Sequence, residues 1–303
     1  MTRFIGGVFG DCRPVTANVP SITGVYPADD QYLIKQEGGW LDTANIVASG
    51  GTEHTYTDPT GSWKSHTFNS SGSFQVTSEP GGPTFDAEFL VQGGGGGCKD
   101  NISGNRHAGS GAGGLLYGPA GTLVNATYTV TIGAGGNESP GSNTTLGGAP
   151  GASIGPTGQT ATGGGAGGAG DPSPDCIGDA GGCGGGGWYQ SPGGGGPGSQ
   201  PSPGLSGITV GKGDGSPGNA APEYGGAGGG TGGNAPGQGL NKGPGTGNVY
   251  RYGTTNPQPY GAGGVASDYP STNRNSGGGA NTGDGASGYA TGGSGTVIIR
   301  YKV

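Results

Sequence analysis

The chain has 303 residues, of which 82 are Gly and 23 are Pro, while 28% are hydrophobic and 10% charged. Gly and Pro together form about a third of it, against a usual combined share of roughly 12%, which excludes an ordinary helical or doubly wound enzyme. A net charge of −7, a pI near 4.8 and the lack of Lys/Arg clusters argue against a nucleic-acid partner.

No apolar run reaches the roughly 18 residues of a membrane span, so no membrane insertion is expected. The opening MTRFIGGVFGDCRPV lacks the apolar region of a secretory signal, so synthesis in a cytoplasm without that export route is expected. Each ordered Gly costs about 0.5–1 kcal/mol relative to Ala. The glycine must therefore stay disordered or pair its backbone densely. Low net charge with 13 Tyr, 3 Trp and 6 Phe favours order.

Residues 1–50 read as an extended attachment segment punctuated by Pro14, Pro20 and Pro27. Within it, PADDQYLIKQEGGWLD suits a short helix, with Pro27 and two Asp at its start and Gly38–Gly39 as a stop. This helix either packs Tyr32, Leu33 and Trp40 on a neighbouring part of the chain or docks on a partner. In the second case Phe4, Tyr26, Tyr32 and Trp40 are the attachment candidates.

Residues 51–303 read as one glycine-rich domain with strands within 52–95, 122–133 and 294–303. SHTFNSSGSFQVTS alternates Phe68, Phe74 and Val76 with polar residues around Ser70–Ser71–Gly72, a hairpin pattern. TFDAEFLVQ places Phe85, Ala87, Phe89 and Val91 on one face, and ATYTVTIGAGG does so with Tyr128, Val130 and Ile132. SGTVIIRYKV supplies a final β-branched strand. The elements sum to a mainly β and irregular fold, a small antiparallel sheet or sandwich which the chain leaves for a long excursion before returning.

That excursion holds the glycine: 12 Gly lie in residues 1–90 and 70 in residues 91–303. Runs at 93–97, 109–114, 163–170, 181–187, 193–196, 225–233, 261–264, 277–280 and 283–295 alternate with polar loops. Collagen is rejected because no strict every-third-Gly frame persists, and a calcium β-helix because its nonapeptide repeat is missing. The ordered alternative is a polyglycine-II-type helix bundle within 93–293. It would consist of extended three-residue-per-turn helices, close enough for backbone groups to pair between them. A flexible linker is the plain alternative.

Six stretches in order, HTFNSSGSFQV, FLVQGGGGGC, GSGAGGLLYG, YTVTIGAGGN, TATGGGAGGAG and GGSGTVIIRYKV, carry a likeness. The chain resembles the glycine-rich domain proteins of tailed bacteriophages, which include tail-fibre and tip-adhesin-like virion proteins. TGVYPADDQYLIKQEGGW also looks like the segment that often precedes this domain. The resemblance implies a virion location, contacts with other virion proteins through the N-terminal segment, and receptor-binding loops carried on a polyglycine-II bundle.

Chemistry is sparse. His54, His66 and His107 are far apart, no GxGxxG sits in a strand–helix unit, and SGITVGKGDG lacks the residues of a P-loop. Asp171, Asp175 and Asp179 read as a solvated acidic loop before a cation site. No CxxC pair supports zinc. Cys176 and Cys183 have the spacing of a loop-stapling disulfide, with free thiols the equal alternative. No enzyme activity, cofactor or metal is expected.

The working surface is expected in loops 98–107, 171–192, 212–224, 240–260 and 266–276. Their candidate receptor-binding residues are Arg106, Trp188, Tyr189, Tyr224, Tyr250, Arg251, Tyr252, Tyr260, Tyr269 and Arg274, since Tyr, Trp and Arg suit binding to a glycan or protein. Singly, each aromatic can equally cap the bundle. The expected function is a tail-fibre or tip adhesin meeting a host-surface glycan or outer-membrane protein, with a homo-oligomer open to it. A virion decoration or assembled fibre without a receptor role is the alternative. A matrix or ice-binding protein is the third, but it should show regular Thr or Ala faces that this sequence lacks.

Overall fold

The computed structural model describes residues 47–78, 87–99, 107–121, 123–148, 158–169, 176–188, 194–220, 223–237, 239, 241–266 and 276–303. The expected N-terminal helix and the attachment candidates Phe4, Tyr26, Tyr32 and Trp40 lie outside these residues.

The strands in chain order are β1 (Val47–Ser49), β2 (Thr52–Asp58), β3 (Gly61–Phe68), β4 (Gly72–Ser78), β5 (Ala87–Gln92), β6 (Leu115–Gly121), β7 (Ala126–Thr131), β8 (Thr144–Leu146), β9 (Gln159–Ala161), β10 (Thr209–Gly211), β11 (Asn219–Ala220), β12 (Glu223–Tyr224), β13 (Thr246–Asn248), β14 (Gln258–Tyr260) and β15 (Thr296–Lys302). These strands pair antiparallel, and no helix occurs among the described residues. One sheet has five strands in the order β1-β4-β7-β8-β9, and the other six in the order β10-β6-β5-β15-β3-β2. β11 with β12, and β13 with β14, make two further two-stranded ladders.

The two large sheets share one apolar core. Phe74, Val76, Tyr128, Val130 and Leu146 come from the first sheet, and Phe68, Phe89, Val91, Val297 and Ile299 from the second. Ala87, Phe89 and Val91 share the buried face that their alternation predicts, as do Tyr128 and Val130, with Ile132 packed at the margin. Phe85 lies outside the described residues. The terminal strand sits between β5 and β3, and Thr296–Tyr301 are all buried. Its consecutive Val297, Ile298 and Ile299 fit a strand covered on both faces. Contrary to the expected single excursion, the chain leaves β5 at Gln92, rejoins the same sheet as β6 and β10, and returns beside β5 at Thr296.

The expected hairpin at Ser70–Ser71–Gly72 is corrected. β3 pairs with β2 and β15, whereas β4 pairs with β1 and β7, so the turn carries the chain from one sheet to the other. The cause is burial: Phe68 and Phe74 meet across the sandwich, their rings edge-to-face at 6.5 Å. A paired hairpin would leave both sheets without these closing residues. β1 also lies ahead of residue 50, where the attachment segment was expected to end, and it pairs with β4.

β6 was not expected, because GLLYGPAG reads as excursion. Its Pro119 is tolerated because β10 pairs only with Leu115, Leu116 and Tyr117, so the missing N–H falls where no further strand needs it.

The glycine runs are ordered by backbone hydrogen bonds that repeat every third residue. Gly93 and Gly96 donate to Gly114 and Gly111, Gly94 and Gly97 to Ser142 and Ser139, and Gly95 to Gly293, all at 2.8–3.0 Å. In the next run Gly109 and Ala112 donate to Gly226 and Gly229, Ser110 and Gly113 to Ala286 and Gly283, and Gly111 and Gly114 to Gly165 and Thr162. Each run therefore addresses three different neighbours in turn. The approach is too close for side chains: a methyl on Gly95 would collide with the Asp284 carbonyl, and one on Gly113 with the Gly93 backbone.

The few non-glycine residues of these runs are small and enclosed. Ala112, Ala166, Ala227 and Ala286 are fully buried. Ser110 Oγ donates to the Gly96 carbonyl at 2.5 Å and accepts from Ala286 N at 2.6 Å.

Candidate binding surface

Among the described residues no group of three or more His, Cys, Asp and Glu side chains converges as a metal cluster would. No described helix is long and apolar enough to cross a membrane. Cys98, Cys176 and Cys183 are free and buried, so no bridge joins Cys176 to Cys183. Cys183 lies inside a glycine run with Sγ 3.7 Å from the Gly113 carbonyl, while Cys176 packs against Trp188. Burial pushes the Cys98 and Cys183 thiols up to about 12, which leaves them un-ionised and unreactive. Asp179 forms an ion pair with Lys99 at 2.9 Å, while Asp171 and Asp175 lie outside the described residues.

The loop candidates divide by burial. Arg106, Tyr189, Tyr269 and Arg274 lie outside the described residues. Trp188, Tyr250 and Tyr260 are buried at 4%, 7% and 3% exposure, which corrects their expected presentation on the surface. Tyr250 and Tyr260 pack with Leu90, Leu115 and Ile298 on the outer face of the six-stranded sheet. Burial raises the Tyr250 hydroxyl well above its usual value and pushes that of Tyr260 up to about 12. Tyr224 is half-buried within the β11–β12 ladder, opposite Asn219. Arg251 and Tyr252 remain half-exposed.

The last two residues sit on a turn that the sheet holds firmly. Arg300 of β15 projects outward between the rings of Trp63 and Tyr250, each centroid 4.1 Å from its guanidinium carbon. Its Nε donates to Glu88 at 2.5 Å and its Nη1 to the Tyr56 hydroxyl at 2.9 Å. That hydroxyl donates in turn to the Tyr250 carbonyl at 3.1 Å, and Ser65 Oγ donates to the Arg251 carbonyl at 3.0 Å. Gly253 closes the turn at φ +82° with its N–H on the Val249 carbonyl at 2.8 Å. A side chain there would be strained and would crowd the Tyr56 ring at 2.8 Å.

Beside this turn lies edge strand β2, none of whose residues was expected at a binding surface from the sequence. Register places His54 opposite Ser65 and Tyr56 opposite Trp63, on the same outer face. The exposed His54 ring meets Tyr252 edge-on at 5.1 Å, and the Arg251 guanidinium lies 4.9 Å from the Tyr252 centroid. The available signal was the alternation of His54 and Tyr56 within TEHTYTD, which sets both on one side of a strand.

Arg251 is one of several described cations, Lys212 and Lys242 among them, that join no ion pair with a described carboxylate. Lys64 pairs with Glu53 at 2.6 Å, Lys99 with Asp179, and Arg300 with Glu88. Among the described residues no carboxylate pairs with Arg251. The acids of β2 and β5 are engaged as well: Glu53 by Lys64, Glu88 by Arg300, and Asp58 through Oδ1 by the Thr60 N–H and hydroxyl at 2.9 and 2.5 Å.

No protein-family model matches the chain, and a comparison with curated proteins gives no match.

Proposed function

We propose that this chain is a structural virion protein of a tailed bacteriophage. It would serve as a tail-fibre or tip adhesin that carries host-binding loops on a polyglycine-II bundle. The observation that carries this reading is the third-residue repeat of backbone hydrogen bonds in the glycine runs, rooted between the adjacent strands β5 and β15. A helix of three residues per turn points successive N–H groups at three neighbours, as these runs do. Such a bundle is rigid without long side chains, which suits a protein that must present loops under mechanical load. The order of the six sequence stretches supplies the phage assignment.

Burial of Trp188, Tyr250 and Tyr260 favours a second reading, a virion decoration or assembled fibre with no receptor role. One experiment separates the two. Antibody raised against the purified chain is imaged on phage particles, and the purified chain is added to host cells before infection. The adhesin reading expects labelled tails and reduced adsorption. Labelling without reduced adsorption selects the decoration, and unlabelled particles overturn both.

A further inference from the structure

We infer that the turn Tyr250–Gly253 and edge strand β2 form a subsite for an acidic saccharide, a glycan bearing a carboxylate sugar such as a hexuronic acid. The inference rests on the host-surface reading above and names the ligand class of one particular face.

The argument begins with preorganisation. The backbone carbonyls of Val249, Tyr250 and Arg251 are each taken, by the Gly253 N–H, the Tyr56 hydroxyl and the Ser65 hydroxyl. The turn is thus held on the sheet, and little ordering remains to be done when a ligand arrives. Next comes shape: the half-exposed Tyr252 ring carries the Arg251 guanidinium over one face and meets His54 edge-on, so aromatic surface and polar margins stand together, which is what a sugar ring with its C–H face and hydroxyl rim requires.

Charge completes the match. The whole chain carries a net −7, yet this patch holds a guanidinium that no described carboxylate neutralises. Guanidinium donors fit a carboxylate through two parallel hydrogen bonds, and the Arg251 guanidinium, lying over one face of the Tyr252 ring, brings that carboxylate next to the aromatic group. The exposed Thr254, Thr255 and Asn256 follow directly and can meet the hydroxyls.

The test is titration of the full chain with trigalacturonate, followed by tyrosine fluorescence and calorimetry. Maltotriose serves as the neutral trisaccharide and inorganic phosphate as the plain anion. Trigalacturonate should bind at least about tenfold more tightly than either control. Arg251→Gln and Tyr252→Ala should each weaken it by about tenfold or more, Tyr252→Phe should retain it, and Lys212→Gln should leave it unchanged. Unchanged thermal midpoints and near-UV circular dichroism verify folding, and His54→Ala, an exposed edge change, provides a second lesion if Arg251→Gln unfolds.

Equal binding of maltotriose, equal binding of phosphate, no binding of trigalacturonate, or full binding by folded Arg251→Gln would each overturn the subsite. A chain that still blocks adsorption while ignoring trigalacturonate keeps the adhesin reading and loses only this one. Trigalacturonate binding by a chain that does not label virions does the reverse.

Discussion

Phe89 in β5 and Gly95 a few residues later are both enclosed, but by opposite parts of the amino acid. Phe89 is surrounded by side chains of two facing sheets, and its backbone serves only its own ladder. Gly95 has no side chain, donates to Gly293 at 2.8 Å and accepts from Gly136 at 2.9 Å, so its backbone ties together separate segments. The sandwich buries apolar area, which is non-directional and tolerates volume-conserving exchange. The glycine region buries peptide groups, which must be paired and which exclude even a methyl. Order in a chain this poor in apolar residues follows from the second device.

The sharpest way to break that contrast is to add one carbon. Gly113→Ala places its methyl against the Gly93 backbone, and the expected loss is about 3 kcal/mol or more, comparable to emptying part of an apolar core. Chemical denaturation measures it, and a loss under about 1 kcal/mol would mean that the runs yield easily.

Next is the joint between sheet and turn. Arg300→Gln removes the guanidinium from between Trp63 and Tyr250 and leaves Glu88 and the Tyr56 hydroxyl short of a donor. A destabilisation of about 2 kcal/mol is expected. Proteolysis should then cut within 249–256 before it cuts the strands, and unchanged resistance there would show the turn is held by other contacts.

A smaller effect sharpens the picture of the sandwich. His66 is buried beneath β2, bonded to the Gly50 carbonyl at 2.8 Å and the Tyr301 hydroxyl at 3.1 Å, with Glu53 at 3.9 Å and Lys64 on the same strand face. Burial lowers its pKa below the ordinary 6.5, more than the Gly50 bond and Glu53 raise it. The unfolded chain therefore takes up the proton first as pH falls. Stability from this group is complete above 6.5 and declines below it until the lower folded value is reached. Glu53, held below its usual range chiefly by its bond to Lys64, loses its contribution only at lower pH. Denaturation midpoints measured from pH 8 to pH 5 should fall, and His66→Gln should flatten that fall.

Gly194→Ala is the smallest change and the control. Nothing lies within 4 Å of the added methyl, so the substitution should be neutral or stabilise by about 0.4–1 kcal/mol through the unfolded chain. A large loss there would mean glycine is required for reasons other than close approach.

Much of the sandwich was legible in local pattern. Alternation identified the inward faces of β5 and β7, and a β-branched run identified β15 as a strand, while its burial on both faces came only with the structure. The corner between Phe68 and Phe74 was not legible, because a turn within one sheet and a turn between sheets share the same residues and differ only in distant partners. β6 was hidden by Gly118 and Pro119, tolerated only because β10 stops short of them. For the proposed binding surface, Arg251 and Tyr252 were legible as loop residues of suitable chemistry. Their neighbours Tyr250 and Tyr260 were misplaced because exposure depends on what lies beneath, here Arg300, Leu90 and Ile298 from remote strands. His54 was weighed only as a catalytic group, since its contact with Tyr252 needs the turn that the sheet brings to it.

The central claim is that the glycine runs are a core made of backbone. Amide hydrogen exchange tests it most directly, read by mass spectrometry over peptides covering 93–98, 109–114, 163–168 and 182–187 beside those of β5 and β15. The account predicts protection in the runs matching that of the two strands, lost in the same cooperative unfolding. Exchange in the runs at the rate of an unstructured chain, with the strands still protected, would contradict it.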